Sequence, residues 1–123
     1  MRIHIAARRE ARTRAGRVAA RLWRAGHRVV SRWIEGNGRR VTAADNALYT
    51  LTDIAVADCV VLFSDRGRKR KNRAGAHDRH VEFGYAIRAG KRLCVLGPRE
   101  TSFGQLRAVE RYKTVKELIR GLR

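Results

Sequence analysis

The chain has 123 residues and carries 29 Lys and Arg against 11 Asp and Glu, a formal charge of +18, with 44% hydrophobic residues. That length suits one domain spanning residues 1–123, and the apolar share excludes a globally disordered chain. The basic excess points to phosphates as partners, on nucleotides or on nucleic acid, yet arginines run from Arg2 to Arg123 instead of gathering in one motif. No apolar run approaches the roughly 18 residues that span a bilayer. Met1–Ala7 is too short, and too soon followed by arginines, for a signal peptide. Cys59 and Cys94 fall in apolar stretches and read as small core residues in a reducing, cytoplasmic setting.

Arg2–Ala7 reads as a first strand, and Glu10–Gly26 as a helix with Val18, Leu22 and Ala25 on one side and Gly26 as its stop. Arg28–Ile34 reads as a second strand, followed by a turn at Gly36–Gly38. Thr42 caps an amphipathic helix running to Ala57. Cys59–Phe63 is a continuous apolar run, the pattern of a parallel strand buried on both faces. After the loop Ser64–Asp78 come a helix over His80–Ala89 and a strand over Arg92–Leu96, which Gly97-Pro98 ends. The tail offers a short helix within Phe103–Val109, a brief strand near Arg111–Tyr112 and a last helix over Val115–Leu122. Strands alternating with helices predict a doubly wound α/β fold of the flavodoxin or Rossmann type, with a mostly parallel sheet of four to five strands and helices on both faces.

In such a sheet ligands bind beyond the carboxyl ends of the strands. Those ends hold Ala6–Arg9, Trp33–Asn37, Ser64–Arg79 and Gly97–Arg99, and Glu82 enters from the helix after the third strand. With a helix starting near His80, Glu82 lies in its first turn, where the helix dipole favours an anion. It is either a surface carboxylate complementing that terminus or a nucleophile for a sugar carbon. Arg8, Arg9 and Ser31 are candidate phosphate ligands, with surface charge and a solvated hydroxyl as the plain readings, and Trp23 and Trp33 read as core or interface anchors. Asp78 is either the cap of the third helix or a group that meets a sugar hydroxyl or the leaving base. Asp53 sits late in the second helix, and Tyr85 either packs against the site or fills the core. Loop 65–73 (DRGRKRKNR) holds six basic side chains and no aromatic; it is either a solvated charge run or a segment that closes over a nucleotide or engages a polynucleotide backbone, without base stacking of its own. His77 and His80 are three apart but lack a carboxylate cluster, so no metal is expected. No Walker or dinucleotide fingerprint implies a cofactor.

The segments GHRVVSRWI (Gly26–Ile34), TLTDIAVADCVVLF (Thr50–Phe63), RHVEFGYAIRAGK (Arg79–Lys91) and VLGP (Val95–Pro98) resemble, in order and spacing, the nucleoside 2-deoxyribosyltransferase-like family. Its superfamily includes the deoxynucleoside 5′-monophosphate N-glycosidases. The E-x-G-Y-A core around Glu82 is the most specific element. The resemblance implies that Glu82 attacks the anomeric carbon of a deoxyribose, that the base leaves, and that water or a second base resolves a covalent intermediate. It places His4 where relatives carry a Tyr that orients the Glu, and Thr50 where many carry an Asp that handles the base. It marks Ala6, Arg8, Ser31, Asp53 and Gly84 as substrate-facing positions, Gly84 by allowing close approach to its helix, and Asp78 as a proton or hydroxyl partner.

The expected function is cleavage or transfer at the N-glycosidic bond of a deoxynucleoside or deoxynucleotide, without cofactor or metal and away from membranes. The resemblance also implies a homo-oligomer whose neighbouring subunit completes the site. Two alternatives compete: a non-catalytic nucleotide-binding sensor of the same fold, and a basic protein that meets nucleic acid through loop 65–73.

Overall fold

The computed structural model describes residues 1–36, 42–65 and 77–123. Along the chain come β1 (Arg2–Ala6), α1 (Arg12–Arg24), β2 (Arg28–Val29), α2 (Ala43–Val56), β3 (Cys59–Phe63), α3 (Asp78–Arg88), β4 (Arg92–Leu96), β5 (Val109–Tyr112) and α4 (Val115–Gly121). Short 3₁₀ turns occupy Arg9–Ala11, Arg32–Ile34 and Ser102–Gln105. The sheet order is β2-β1-β3-β4-β5, and every pairing is parallel. This is the doubly wound α/β arrangement with five strands. Its strand order reverses between β1 and β3, which opens a crevice at their carboxyl ends.

Strand alternation divides the core into two layers. Ile3, Ile5, Cys59, Val61, Cys94 and Leu96 pack with Ala15, Val18 and Leu22 of α1 and with Leu118 of α4. Ala6, Val60, Leu62, Leu93 and Val95 pack on the other side with Ile54 of α2 and with Phe83 and Ala86 of α3. Parallel strands need helical crossovers, so each layer is closed by the helices the topology delivers to it. The helix ends obey local chemistry. Thr42 and Thr114 accept hydrogen bonds from Asp45 N and Glu117 N, both at 3.1 Å. Gly26 (φ 93°) turns the chain out of α1, and His27 N bonds back to Leu22 O at 3.0 Å. Both cysteines are buried and free, their sulfurs 3.8 Å apart.

The second strand is much shorter than the predicted Arg28–Ile34, and the reason is specific. After Val30 N bonds Ile3 O at 2.9 Å, side chains replace the ladder. Ile5 N donates to Ser31 Oγ at 2.7 Å, and Trp33 Nε1 donates to Ile5 O at 2.8 Å. With its partner groups on β1 already satisfied, the chain turns into the 3₁₀ segment Arg32–Ile34. The third helix begins at Asp78, two residues before its predicted start, with His77 as its N-cap. Glu82 is therefore the fifth residue of α3, past the first turn where the helix dipole acts most strongly. Asp78 is a helical residue and not the cap.

At the far edge of the sheet Arg92 grips Glu110 with two bonds of 2.7 and 2.8 Å, and Tyr112 Oη donates to the same carboxylate at 2.7 Å. The Arg92 hydrogen bonds hold the Glu110 carboxyl below its ordinary range, partial burial opposes them, and Tyr112 adds to the lowering. A depressed folded value means the contribution is present above the unfolded value and is lost as pH falls through the folded one. Glu110→Gln is expected to lower the melting temperature at neutral pH. The gap to wild type should narrow as pH drops below the ordinary value of 4.5, because wild type then loses the same interaction. A gap that stays constant through acid melts would show that the carboxylate charge is not what stabilises this edge.

Candidate active site

His4 is the middle residue of β1, and its neighbours Ile3 and Ile5 take the α1 side of the sheet, so its imidazole faces α3. It is fully buried. A buried imidazole must satisfy both nitrogens. Nε2 lies 2.8 Å from Glu82 Oε1, and Nδ1 lies 3.0 Å from Ser31 Oγ. Glu82 reaches this point because Phe83 and Ala86 of α3 pack down on the sheet, which turns the preceding position toward the crevice. Its side chain retains 14% exposure. It is thus anchored from behind and open in front.

In front lies a cavity of about 650 Å³, within the size range of small-molecule sites. Ala7 and Arg9 border it after β1, and Arg32, Trp33 and Gly36 border it after β2. The wall of α2 contributes Asn46, Tyr49, Thr50 and Asp53, and α3 contributes Asp78, Val81 and Glu82. Asp78 and Glu82 are one helical turn apart and present two carboxylates to the same space. Arg9, Arg12 and Arg32 present three guanidinium groups to it. The cavity wall therefore carries both carboxylates and arginines, although the Arg32 guanidinium is already bonded to Asp53 and to Tyr49 O. Trp33 and Tyr49 offer aromatic surface.

The structure separates the expected site residues into three sets. Glu82, Asp78 and Asp53 border the cavity. Asp53 is already engaged there, accepting from Arg32 N at 3.0 Å and from Arg32 Nε at 2.8 Å. Arg32 also lies over the Tyr49 ring at 4.6 Å, so Asp53 braces the wall. His4 and Ser31 stand behind Glu82 and do not reach the cavity surface. Ser31 is buried with its hydroxyl turned inward to Ile5 and His4, which corrects its placement as a phosphate ligand. Ala6, Arg8 and Gly84 lie off the wall. Strand alternation sends the Ala6 methyl into the α2–α3 core, leaving Ala7 to line the cavity. Arg8 pairs with Asp65 at 3.0 Å. A methyl group built on Gly84 would meet nothing within 4 Å among the described residues, so none of them uses its small size. Tyr85 is part-exposed and does not fill the core.

The sequence offered Arg9, beside Arg8, as a phosphate ligand, but it did not single out Arg12 or Arg32, and Trp33 was read as a core or interface anchor. The available signal was position: all four follow strands one and two at their carboxyl ends, where a short second strand exposes them. The start of α3 is built on a further pair, in which buried Arg79 bonds Glu100 at 3.0 Å. His80 lies 3.6 Å from the same carboxylate, and burial first, then Arg79, lower its pKa. Neutral His80 leaves Arg79 as the cation of that pair. Among the described residues no three His, Cys, Asp or Glu side chains gather as a metal site requires. Among the described residues no helix is long and apolar enough to cross a membrane. Loop 65–73 lies outside the described residues apart from Asp65.

No known family model and no curated protein matches this chain. Solved structures do. A CMP N-glycosidase from Clostridium botulinum superposes with a TM-score of 0.66 at 19% identity, covering 99% of this chain and 98% of its own. A 2-deoxyribosyltransferase from Bacillus psychrosaccharolyticus superposes with a TM-score of 0.69 at 14% identity, covering 97% and 90%. The fold is theirs.

Proposed function

We propose that this protein cleaves the N-glycosidic bond of a 2′-deoxynucleoside 5′-monophosphate, with Glu82 as nucleophile. The observation that carries the reading is a carboxylate with one oxygen bonded to a buried imidazole, at the wall of a nucleotide-sized cavity beside the sheet's switch point. The neighbours of the same fold, a CMP N-glycosidase and a 2-deoxyribosyltransferase, support the choice of bond.

In the first step a Glu82 oxygen forms a bond to C1′ while the C1′–N bond breaks. The electron pair departs on the base nitrogen, which takes up a proton from Asp78 or from water. In the second step water attacks C1′, its proton passes to a base, and the C1′–O bond to Glu82 opens to regenerate the carboxylate. Splitting one displacement into two lowers the barrier at each. A deoxyribose lacks the electron-withdrawing 2′-hydroxyl, so positive charge at its anomeric carbon is less destabilised and one carboxylate suffices. Asp78 also accepts from a sugar hydroxyl. The base lies against Trp33 and Tyr49, and Arg9 and Arg12 receive the phosphate. Thr50 on the wall lacks the charge of a carboxylate, which weakens capture of an incoming base and favours water as acceptor.

The described surface also supports self-association. Leu48, Leu51 and Val56 of α2 and Val81 and Tyr85 of α3 are exposed apolar residues on the helices that wall the cavity. Leu51 and Val81 border the cavity itself, so a second copy packed there would close its open side. Exposed apolar area of this kind marks interfaces, and Gly84 lets another helix approach.

Incubation with deoxynucleotides and no acceptor base should release free base, read by chromatography. Glu82→Ala should reduce the release on the order of a thousandfold or more, with the melting curve retained. Unchanged release from that variant would remove the mechanism, and tight nucleotide binding without turnover would favour a sensor. For assembly, Leu48→Arg is expected to shift the protein from dimer or larger to monomer in light scattering. A wild type that is monomeric at high concentration would contradict the interface.

A further inference from the structure

We infer that Ser31 is a positioning residue that sets which nitrogen of His4 bears the proton, and so fixes how Glu82 is presented. The inference rests on the proposed role of Glu82 and adds a residue that never touches substrate.

The assignment follows from counting hydrogens. Ser31 Oγ has one hydrogen and two lone pairs. Ile5 N can only donate, so at 2.7 Å it occupies one lone pair. Between Oγ and His4 Nδ1, 3.0 Å apart, the hydrogen belongs to one side or the other. Were it on Nδ1 of a neutral ring, bare Nε2 would face Glu82 Oε1 at 2.8 Å, acceptor against acceptor. Were the ring protonated at both nitrogens, Ser31 Oγ would accept twice and its own hydrogen would have no acceptor among the described residues, in a site only 5% exposed. An unmade bond of that kind costs about 1–3 kcal/mol. One arrangement satisfies every group: Ser31 donates to Nδ1, and Nε2–H donates to Glu82 Oε1.

That arrangement does three things. Glu82 gains a donor without being neutralised, so it keeps its charge for attack. Oε1 is tied back while Oε2, which has no partner among the described residues, is left for the anomeric carbon. The helix side chain is also referenced to the sheet, because the chain of bonds ends on the backbone of β1. Placement of a nucleophile within a fraction of an ångström is what such referencing provides.

Two measurements test this. In the ¹⁵N spectrum of the wild-type imidazole, His4 should show an unprotonated, hydrogen-bonded Nδ1 and a protonated Nε2. A protonated Nδ1 would overturn the assignment, and this readout stands whether or not the protein proves to be a glycosidase. In kinetics, Ser31→Ala should lower kcat about 10- to 100-fold with KM changed little, and should alter the His4 nitrogen pattern. Ser31→Thr, which restores the hydroxyl, should recover both. Wild-type kcat in Ser31→Ala, a KM rise at constant kcat, or lost kcat with an unaltered His4 spectrum would each refute the positioning role. Loss of base release in wild type with the expected His4 spectrum would instead sink the glycosidase reading and leave the hydrogen-bond chain standing.

Discussion

The contact between His4 and Glu82 joins the sheet to the helix that covers its crevice, and the rest of the site is arranged around it. A histidine in the centre of a parallel sheet is costly to bury unless both nitrogens are bonded. The fold meets that demand with Ser31 on one side and Glu82 on the other. In meeting it, β2 gives up its ladder early, Trp33 turns to bond Ile5 O, and the 3₁₀ segment that follows delivers Arg32 and Trp33 to the cavity. One polar residue inside a strand thus accounts for a truncated strand and for the shape of the site wall.

Most of the architecture was legible in the sequence because it is written in periodicity. Cys59–Phe63 and Arg92–Leu96 have the bounds expected of them, since unbroken apolar runs between turn residues admit little else. α1 and α2 followed from apolar positions three and four apart, and Gly26 and Thr42 marked the end of α1 and the start of α2 as their chemistry requires. What the pattern could not carry was any feature decided by one long-range bond. Val29, Val30, Trp33 and Ile34 look like a strand, and only the capture of Ile5 N by the Ser31 hydroxyl, 26 residues away, ends it early. The start of α3 was misplaced for a similar reason, because the buried pair of Arg79 with Glu100 supports a first turn that local sequence does not advertise.

Of the candidate site, the sequence pointed to Glu82 as a rare carboxylate between apolar residues, and the structure puts it on a cavity wall together with Asp78. Nothing near His4 in the sequence discloses that its second nitrogen meets the Ser31 hydroxyl, 27 residues away. Ala6 and Arg8 were placed by proximity to a strand end, which does not decide which way a side chain points. The large positive charge was equally uninformative about the site. Arg14, Arg17, Arg21 and Arg24 are exposed on α1, on the sheet face away from the cavity, whereas only a few arginines face inward.

Nucleophilic catalysis by Glu82 requires a covalent bond between its carboxylate and a sugar. Acid-quenched reaction mixtures with a deoxynucleotide, digested and analysed by mass spectrometry, should yield the peptide containing Glu82 with an added deoxyribosyl phosphate. Glu82→Ala should yield none. Base release in the wild type with no adduct on that peptide, or an adduct on another side chain, would contradict it.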